Sequence, residues 1–295
     1  MTAVVEGAGR SGSDAARPSI LDRFRSVRAE AVLYLAGILL LLVLCLFGGS
    51  ISKYDPAKVV AGPYLSPGGG HLFGTDSAGM DVFSRTLAGF RYDVVIGLAT
   101  AVIATLIGMI VGLAGALFTR SPHQLFRMIG SVIFRVLDLV QALPAVIIGL
   151  VVVAFFGVNM VTLTVAMVII LSPNQARLVR AEALKVSGEV FVENAAVSGE
   201  SALSRAFRYI LPNSAWPALE NITLVFASAI ALVAGLGFLG VALAPPTPEW
   251  GSMISTEVSG VLTGYWWPVV FPAAAMMLTT IFMVALSRRV LKRHG

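Results

Sequence analysis

Residues 191–213, FVENAAVSGESALSRAFRYILPN, form a polar interruption between two long apolar stretches, and their reading decides the fold. Upstream, the 38 residues from Leu139 to Ala176 carry no charge; downstream, the run from Asn221 to Pro248 is also uncharged. A helix needs about 20 apolar residues to cross roughly 30 Å of hydrocarbon. The upstream run is therefore long enough for two helices, broken at Gly157, Val158 and Asn159, and Pro144 is expected to kink the first of them because it has no N–H for the ladder. A segment with glutamates, arginines and serines between such runs belongs at a membrane surface.

Working outward, three more uncharged runs qualify as spans: Ala31–Ser52, Val94–Thr119 and Val258–Ser287. The expectation is an all-α polytopic membrane protein with six transmembrane helices. Of the 295 residues, 57% are hydrophobic and 13% are charged. Ordinary soluble domains carry about 25% charged residues, so a soluble enzyme is excluded. The organisation read from these runs is a cytoplasmic tail over 1–30, an anchor helix over 31–52, an extracytoplasmic segment over 53–92, a five-helix core over 93–287 with a polar loop at about 177–219, and a basic tail over 288–295. Residues 1–18 are too rich in Gly, Ser and charge to build a core.

Basic residues orient the spans. Arg10, Arg17, Arg23, Arg25 and Arg28 precede the first; Arg120, Arg127 and Arg135 follow the second; Arg177, Arg180, Lys185, Arg205 and Arg208 separate the fourth from the fifth; Arg288, Arg289, Lys292 and Arg293 follow the sixth. Short loops rich in Lys and Arg stay cytoplasmic, so both termini are expected inside. Topology explains the net charge of +5, and no basic patch interleaved with aromatics points to nucleic acid. The lone Cys45 excludes an intrachain disulfide and a thiolate zinc cluster; His71, His123 and His294 lack metal-ligand spacing and are expected to be solvated.

Several local readings follow. Gly108-x-x-x-Gly112 and Gly115 permit close helix packing. Asp138 at a span edge is expected to pair with Arg135 three residues earlier. Asp76, Asp81, Arg85 and Arg91 are expected to pair near the membrane surface. Pro245, Pro246 and Pro248 are expected to stop the fifth span, with Trp250 at the membrane interface. Ala183, Val186, Val190, Phe191, Ala195 and Ala196 recur near helical spacing, as in an amphipathic surface helix. Gly199 permits a turn with positive φ, and Pro212 sets where the chain re-enters the membrane. The string Gly235-Leu236-Gly237-Phe238-Leu239-Gly240 ends an apolar run instead of following a strand, and no phosphate loop is present, so the chain is not expected to bind nucleotide.

Three segments carry a family resemblance. Glu193, Ala195, Gly199, Leu211 and Pro212 resemble the EAA loop of ATP-binding-cassette importer permeases; Asn194 stands where that family has alanine, and Ala196 and Glu200 lie in the same loop. Gly74, Thr75, Asp76, Gly79, Asp81, Ser84, Arg85, Gly89 and Arg91 resemble the stretch before the second span in dipeptide and oligopeptide importer permeases, with Met80 in place of arginine. Residues 236–253, with Pro245, Pro246, Pro248, Trp250 and Gly251, look like an external loop of the same group. Together with the N-terminal anchor, these resemble the second, C-type permease subunit of the dipeptide/oligopeptide/nickel family, with the type I importer fold.

The resemblance implies a bacterial plasma (inner) membrane protein. It implies a coupling loop that docks into an ATPase, and inward transport of peptides by alternating access. The partners it implies are a second (B-type) permease, one or two ATPase subunits, an extracytoplasmic solute-binding protein and membrane lipid. This chain would bind no cofactor; ATP and magnesium would sit in the ATPase partners. Nickel chelates or oligosaccharides are alternative solutes. A secondary transporter or channel would need charge pairs inside the spans, where the sequence offers only Asp138 and Glu220 at span edges.

Overall fold

The computed structural model describes residues 20–290, with side chains described over 36–286. The expectations for residues 1–18, for the arginines before the first span and for Lys292, Arg293 and His294 lie outside the described residues or side chains. The chain forms two compact units, one up to Leu40 and one from Leu41 onward. The first contributes the start of helix α1 (Ile20–Ile51).

The regular elements among the described residues are helices: α2 (Val82–Thr119), α3 (Gln124–Ala142), α4 (Ala145–Phe156), α5 (Met160–Val186), α6 (Val190–Val197), α7 (Ala202–Arg205), a π-turn (Ala206–Ile210), α8 (Leu211–Ser214), α9 (Trp216–Glu220), α10 (Ile222–Phe238), α11 (Trp250–Leu262) and α12 (Trp267–Val290). Helices α2, α5 and α12 are each long and apolar enough to cross a membrane; counting the bent pair α3–α4 and the bent run of α7–α9 with α10 gives five. The remaining expected span is the end of α1, whose described apolar part runs Ala36–Ile51.

Glycine stripes set the core. A Cβ on Gly108 would run into Gln175, one on Gly112 into Ala176 and Val179, and one on Gly115 into the Phe134 ring. The sequence spacing anticipated this close packing, and its partners are α5 and α3. On another face of α2, Gly97 packs against Phe226 and Ile230 of α10. Small residues let backbones approach where lipid gives no hydrophobic drive between helices.

Five expectations change. Helix α2 starts at Val82, well before the apolar run, because Asp81 caps it by accepting the Ser84 N–H at 2.8 Å. Pro144 does more than kink the third span: α3 and α4 are separate helices meeting at 96°, since a residue before proline is pushed out of the helical region and Leu143 is extended with ψ 140°. Helix α10 ends at Phe238, ahead of the prolines, where Gly240 takes φ +74°. Residues 258–262 belong to α11, and α12 begins only at Trp267. Finally, Asp138 pairs with Arg177 of α5 and not with Arg135, which is exposed on α3.

Candidate functional site

The motif residues gather at two opposite ends of α2. At its N-terminal end, residues 74–93 and 246–257 meet in one buried cluster. Arg85 is only 3% exposed. Its Nη1 donates to the carbonyls of Pro56 at 3.0 Å and Pro246 at 3.2 Å and reaches the Met80 sulfur at 2.9 Å; Nε lies 3.4 Å from Asp76 Oδ2 without hydrogen-bond alignment. Asp76 Oδ1 accepts the N–H groups of Ala78 and Met80. Burial raises the Asp76 carboxyl above its ordinary pKa, against the pull of those N–H groups and Arg85. Met80, where the resemblance would place arginine, leaves the Asp76–Arg85 pair intact. Asp81 pairs instead with His71, Nδ1 to Oδ1 at 2.8 Å, so His71 is a half-buried, hydrogen-bonded ring and not a freely solvated one. Arg91 is exposed.

The other motif residues pack this segment. Thr75 Oγ1 accepts the Leu65 N–H and donates to the Gly62 carbonyl, both at 2.8 Å. Gly74 and Gly79 take φ +74° and +80° where a Cβ would strike the Leu65 and Ala61 carbonyls. Ser84 Oγ donates to Asp81. Trp250 is fully buried, its Nε1 donating to the Thr86 carbonyl at 3.0 Å. It is a core residue, not an interface anchor, and it lies where Gly89 leaves room for its ring. Gly251 packs as tightly on Ala234 of α10.

Sequence reading missed the acids of this cluster. Asp93, Glu249 and Glu257 are each at most 3% exposed. Asp93 Oδ2 accepts the Trp250 N–H at 3.1 Å; Glu249 caps α11, accepting the N–H groups of Gly251 and Ser252 at 2.7 Å. The other carboxyl oxygen of Asp93, Oδ1, is buried without a hydrogen-bond partner among the described residues. Glu257 accepts the N–H and Oγ–H of Ser77. The expectation that acids occur only at span edges is thus corrected. Asp93 lies within α2 because that helix extends beyond its apolar run.

At the opposite end of α2, the EAA-like residues form an elbow. Helix α5 ends at Val186, so the expected single amphipathic helix is split: Ala183 and Val186 belong to α5, and the chain turns at residues 187–189 before α6. Val192 and Ala195 bury α6 against Leu113, Ala116, Ala183, Val186 and Ile210. Its other side is open: Val190 is 69%, Phe191 45% and Val197 89% exposed, and Glu193, Asn194 and Ala196 are exposed beside them. Leu203 and Phe207 extend the open apolar face at 65% and 59%.

Gly199 takes φ +83°, as its expected turn requires, and a Cβ there would meet open space. Glu200 braces the elbow from within, accepting Tyr209 Oη at 2.9 Å and Ser204 Oγ at 3.1 Å. Leu211 packs into the core beside Ile210, whereas Pro212 is exposed. Pro212 does not end the helix; it follows the π-turn, whose wider ring accommodates the missing N–H and the ring clash with the preceding turn.

The chain matches the family described as the binding-protein-dependent transport system inner membrane component over residues 104–294. It belongs to that family. The permease is 33% identical over 274 residues to the di/tripeptide transport system permease protein DppC of Pseudomonas aeruginosa (strain UCBPP-PA14), covering 90% of this chain and 88% of that one. It is 34% identical over 258 residues to the dipeptide transport system permease protein DppC of Escherichia coli (strain K12), covering 85% and 83%. Its fold resembles an inward-facing form of the MetNI methionine ABC transporter, with TM-score 0.51 at 15% identity over 68% of this chain and 93% of that one. An amino acid ABC transporter solved with histidines gives TM-score 0.50 at 18% identity, covering 71% and 94%. This permease is therefore an all-α, multi-pass membrane subunit of an ABC importer with the type I fold.

Proposed function

We propose that this permease carries di- and oligopeptides inward as one half of a transmembrane path, with a second permease as the other half. Substrate class follows the names of its relatives. The α6–α7 elbow is the docking surface for an ATPase subunit, which binds ATP and magnesium and does the hydrolysis; this chain does none. One observation carries the reading. The elbow is seated on the bundle by Val192 and Ala195 while Val190, Phe191, Val197, Leu203 and Phe207 remain open. Contiguous exposed apolar surface marks an interaction site, and Glu193 and Asn194 supply polar contacts among these residues.

The basic residues near the elbow, among them Arg120, Arg177, Arg180, Arg205 and Arg208, favour a cytoplasmic position for it. The segment 53–81 then faces the solute-binding protein outside, and both termini lie inside. Two experiments test this. Co-purification should recover a second permease and one or two ATPase subunits, and hydrolysis should be absent from the isolated chain. In a Cys45→Ala background, a cysteine at exposed Ser66 should react with an impermeant thiol reagent from outside, whereas one at exposed Ser201 should not. The opposite labelling pattern overturns the orientation.

A further inference from the structure

The elbow reading leaves open how a push on α6 reaches the spanning helices. Val192 seats it on Leu113 and Ala116 of α2, and an open cavity of about 530 Å³ adjoins that seat, bordered by Phe118, Arg120, Phe126, Glu193, Ala196 and Arg205. A hollow transmits force poorly, so the turn at residues 187–189, where α5 passes into α6, is the second connection beside that seat.

One side chain from another helix grips that turn. Arg120 is the C-cap of α2. Its Nη2 donates to the Leu184 carbonyl at 2.9 Å and its Nη1 to the Ser187 carbonyl at 2.8 Å. The Leu184 carbonyl is free to accept because α5 closes early: the Gly188 N–H, its ordinary helical donor, goes to Lys185, and the Glu189 N–H goes to Val186. Carbonyls at a helix C-terminus lack intrahelical donors and carry partial negative charge, so the guanidinium fork satisfies two at once. A reciprocal strap lies alongside. Arg180 of α5 donates from Nη2 to Thr119 Oγ1 at 3.1 Å, with its guanidinium 4.0 Å from the Phe134 ring centre. Behind both straps, Gly112 holds α2 hard against α5.

We propose that Arg120 is a positioning residue for coupling: it fixes the α5–α6 turn to the end of α2, so that displacement of the docked elbow moves α2 with it. This rests on the docking reading above. Arg120 is exposed, and exposed charge contacts contribute little to stability. Its loss should therefore spare the fold and impair the linkage.

The test uses the complete importer with its partners, reconstituted in vesicles, and reads solute taken up per ATP hydrolysed together with recovery of the complex. Arg120→Ala should lower that ratio by about fivefold or more, the scale of a broken coupling contact, with complex recovery and basal hydrolysis unchanged. Arg120→Lys should fall between, since one ammonium cannot span both carbonyls as the fork does. Arg127→Ala is the matched control: it lies on the same surface, and among the described residues it donates to the Ser121 and Pro122 carbonyls, close by in its own segment, and should behave as the parent. A parental ratio in Arg120→Ala, an equal fall in Arg127→Ala, or a fall explained by lost assembly each overturns the inference. If the parent itself neither recruits an ATPase nor transports, the docking reading fails and this inference fails with it.

Discussion

The two ends of α2 carry motif residues of opposite character. Around Arg85 and Trp250 most motif side chains are buried and engaged within the chain, with Arg91, Pro245 and Pro246 exposed. Around Gly199 the motif side chains are mostly exposed, and only Ala195, Leu211 and Glu200 do work inside the chain. A motif answers to different constraints at each end: the first set folds the protein, and the second meets another protein. Substitutions at the first end should therefore act on stability, and those at the second on transport.

The largest effect is expected from Trp250→Ala. Removing a fully buried aromatic costs about 3–5 kcal/mol, and here it also orphans the Thr86 carbonyl. Thermal melting of the detergent-purified protein should fall sharply, and membrane levels with it. Parental melting would mean that this end is not the packed one. Next is Gly199→Val. A β-branched residue at φ +83° is strained, but an added Cβ would meet nothing within 4 Å, so insertion and melting should stay near parental. Uptake in reconstituted vesicles should be abolished. Full uptake at normal expression would remove the elbow from the coupling path.

Those two positions also mark how far the sequence could be read. Gly199 was legible because its conformational demand is local, and a glycine in a polar turn announces it. Trp250 was not, because what decides its position lies on α2, more than 150 residues earlier. The same holds for the burial at the start of α2. Val82, Phe83, Leu87 and Phe90 already show helical spacing, but Arg85 and Asp93 are buried through contacts with Pro246 and Trp250, while Arg91 stays exposed. Apolar run lengths marked the long helices and the glycine spacing marked a close-packed face on α2, since both signals are local; that α5 and α3 fill that face came from the structure. The 96° break at Pro144 was half visible: a proline says that a helix is interrupted, but the angle depends on what α4 packs against.

A smaller difference tests the buried acids. Asp93→Asn keeps the shape and an acceptor for the Trp250 N–H. It should melt within about 1 kcal/mol of the parent. Asp93→Leu leaves the Trp250 N–H without that partner, and should cost about 1–3 kcal/mol. Equal melting of the two variants would show that Asp93 contributes no hydrogen bonding. The smallest effect is expected at the open end. Glu193→Ala removes an exposed charge and should change melting by no more than about 0.5 kcal/mol, while reducing ATPase recovery in a pull-down modestly. A large loss of stability there would erase the contrast between the two ends.

The glycine face of α2 has a consequence for synthesis. Gly108 and Gly112 are complete only when Gln175 and Ala176 lie against them, 67 and 64 residues later in the chain. At about 5–20 residues per second of translation, α2 waits roughly 3–14 s before its partner emerges. During that interval its notched side faces lipid or the insertion machinery, with α3 and α4 still arriving in between. Slowing the ribosome between residues 120 and 175 would lengthen the exposure, so codon choice along α3 and α4 becomes a determinant of yield that leaves the finished protein unchanged.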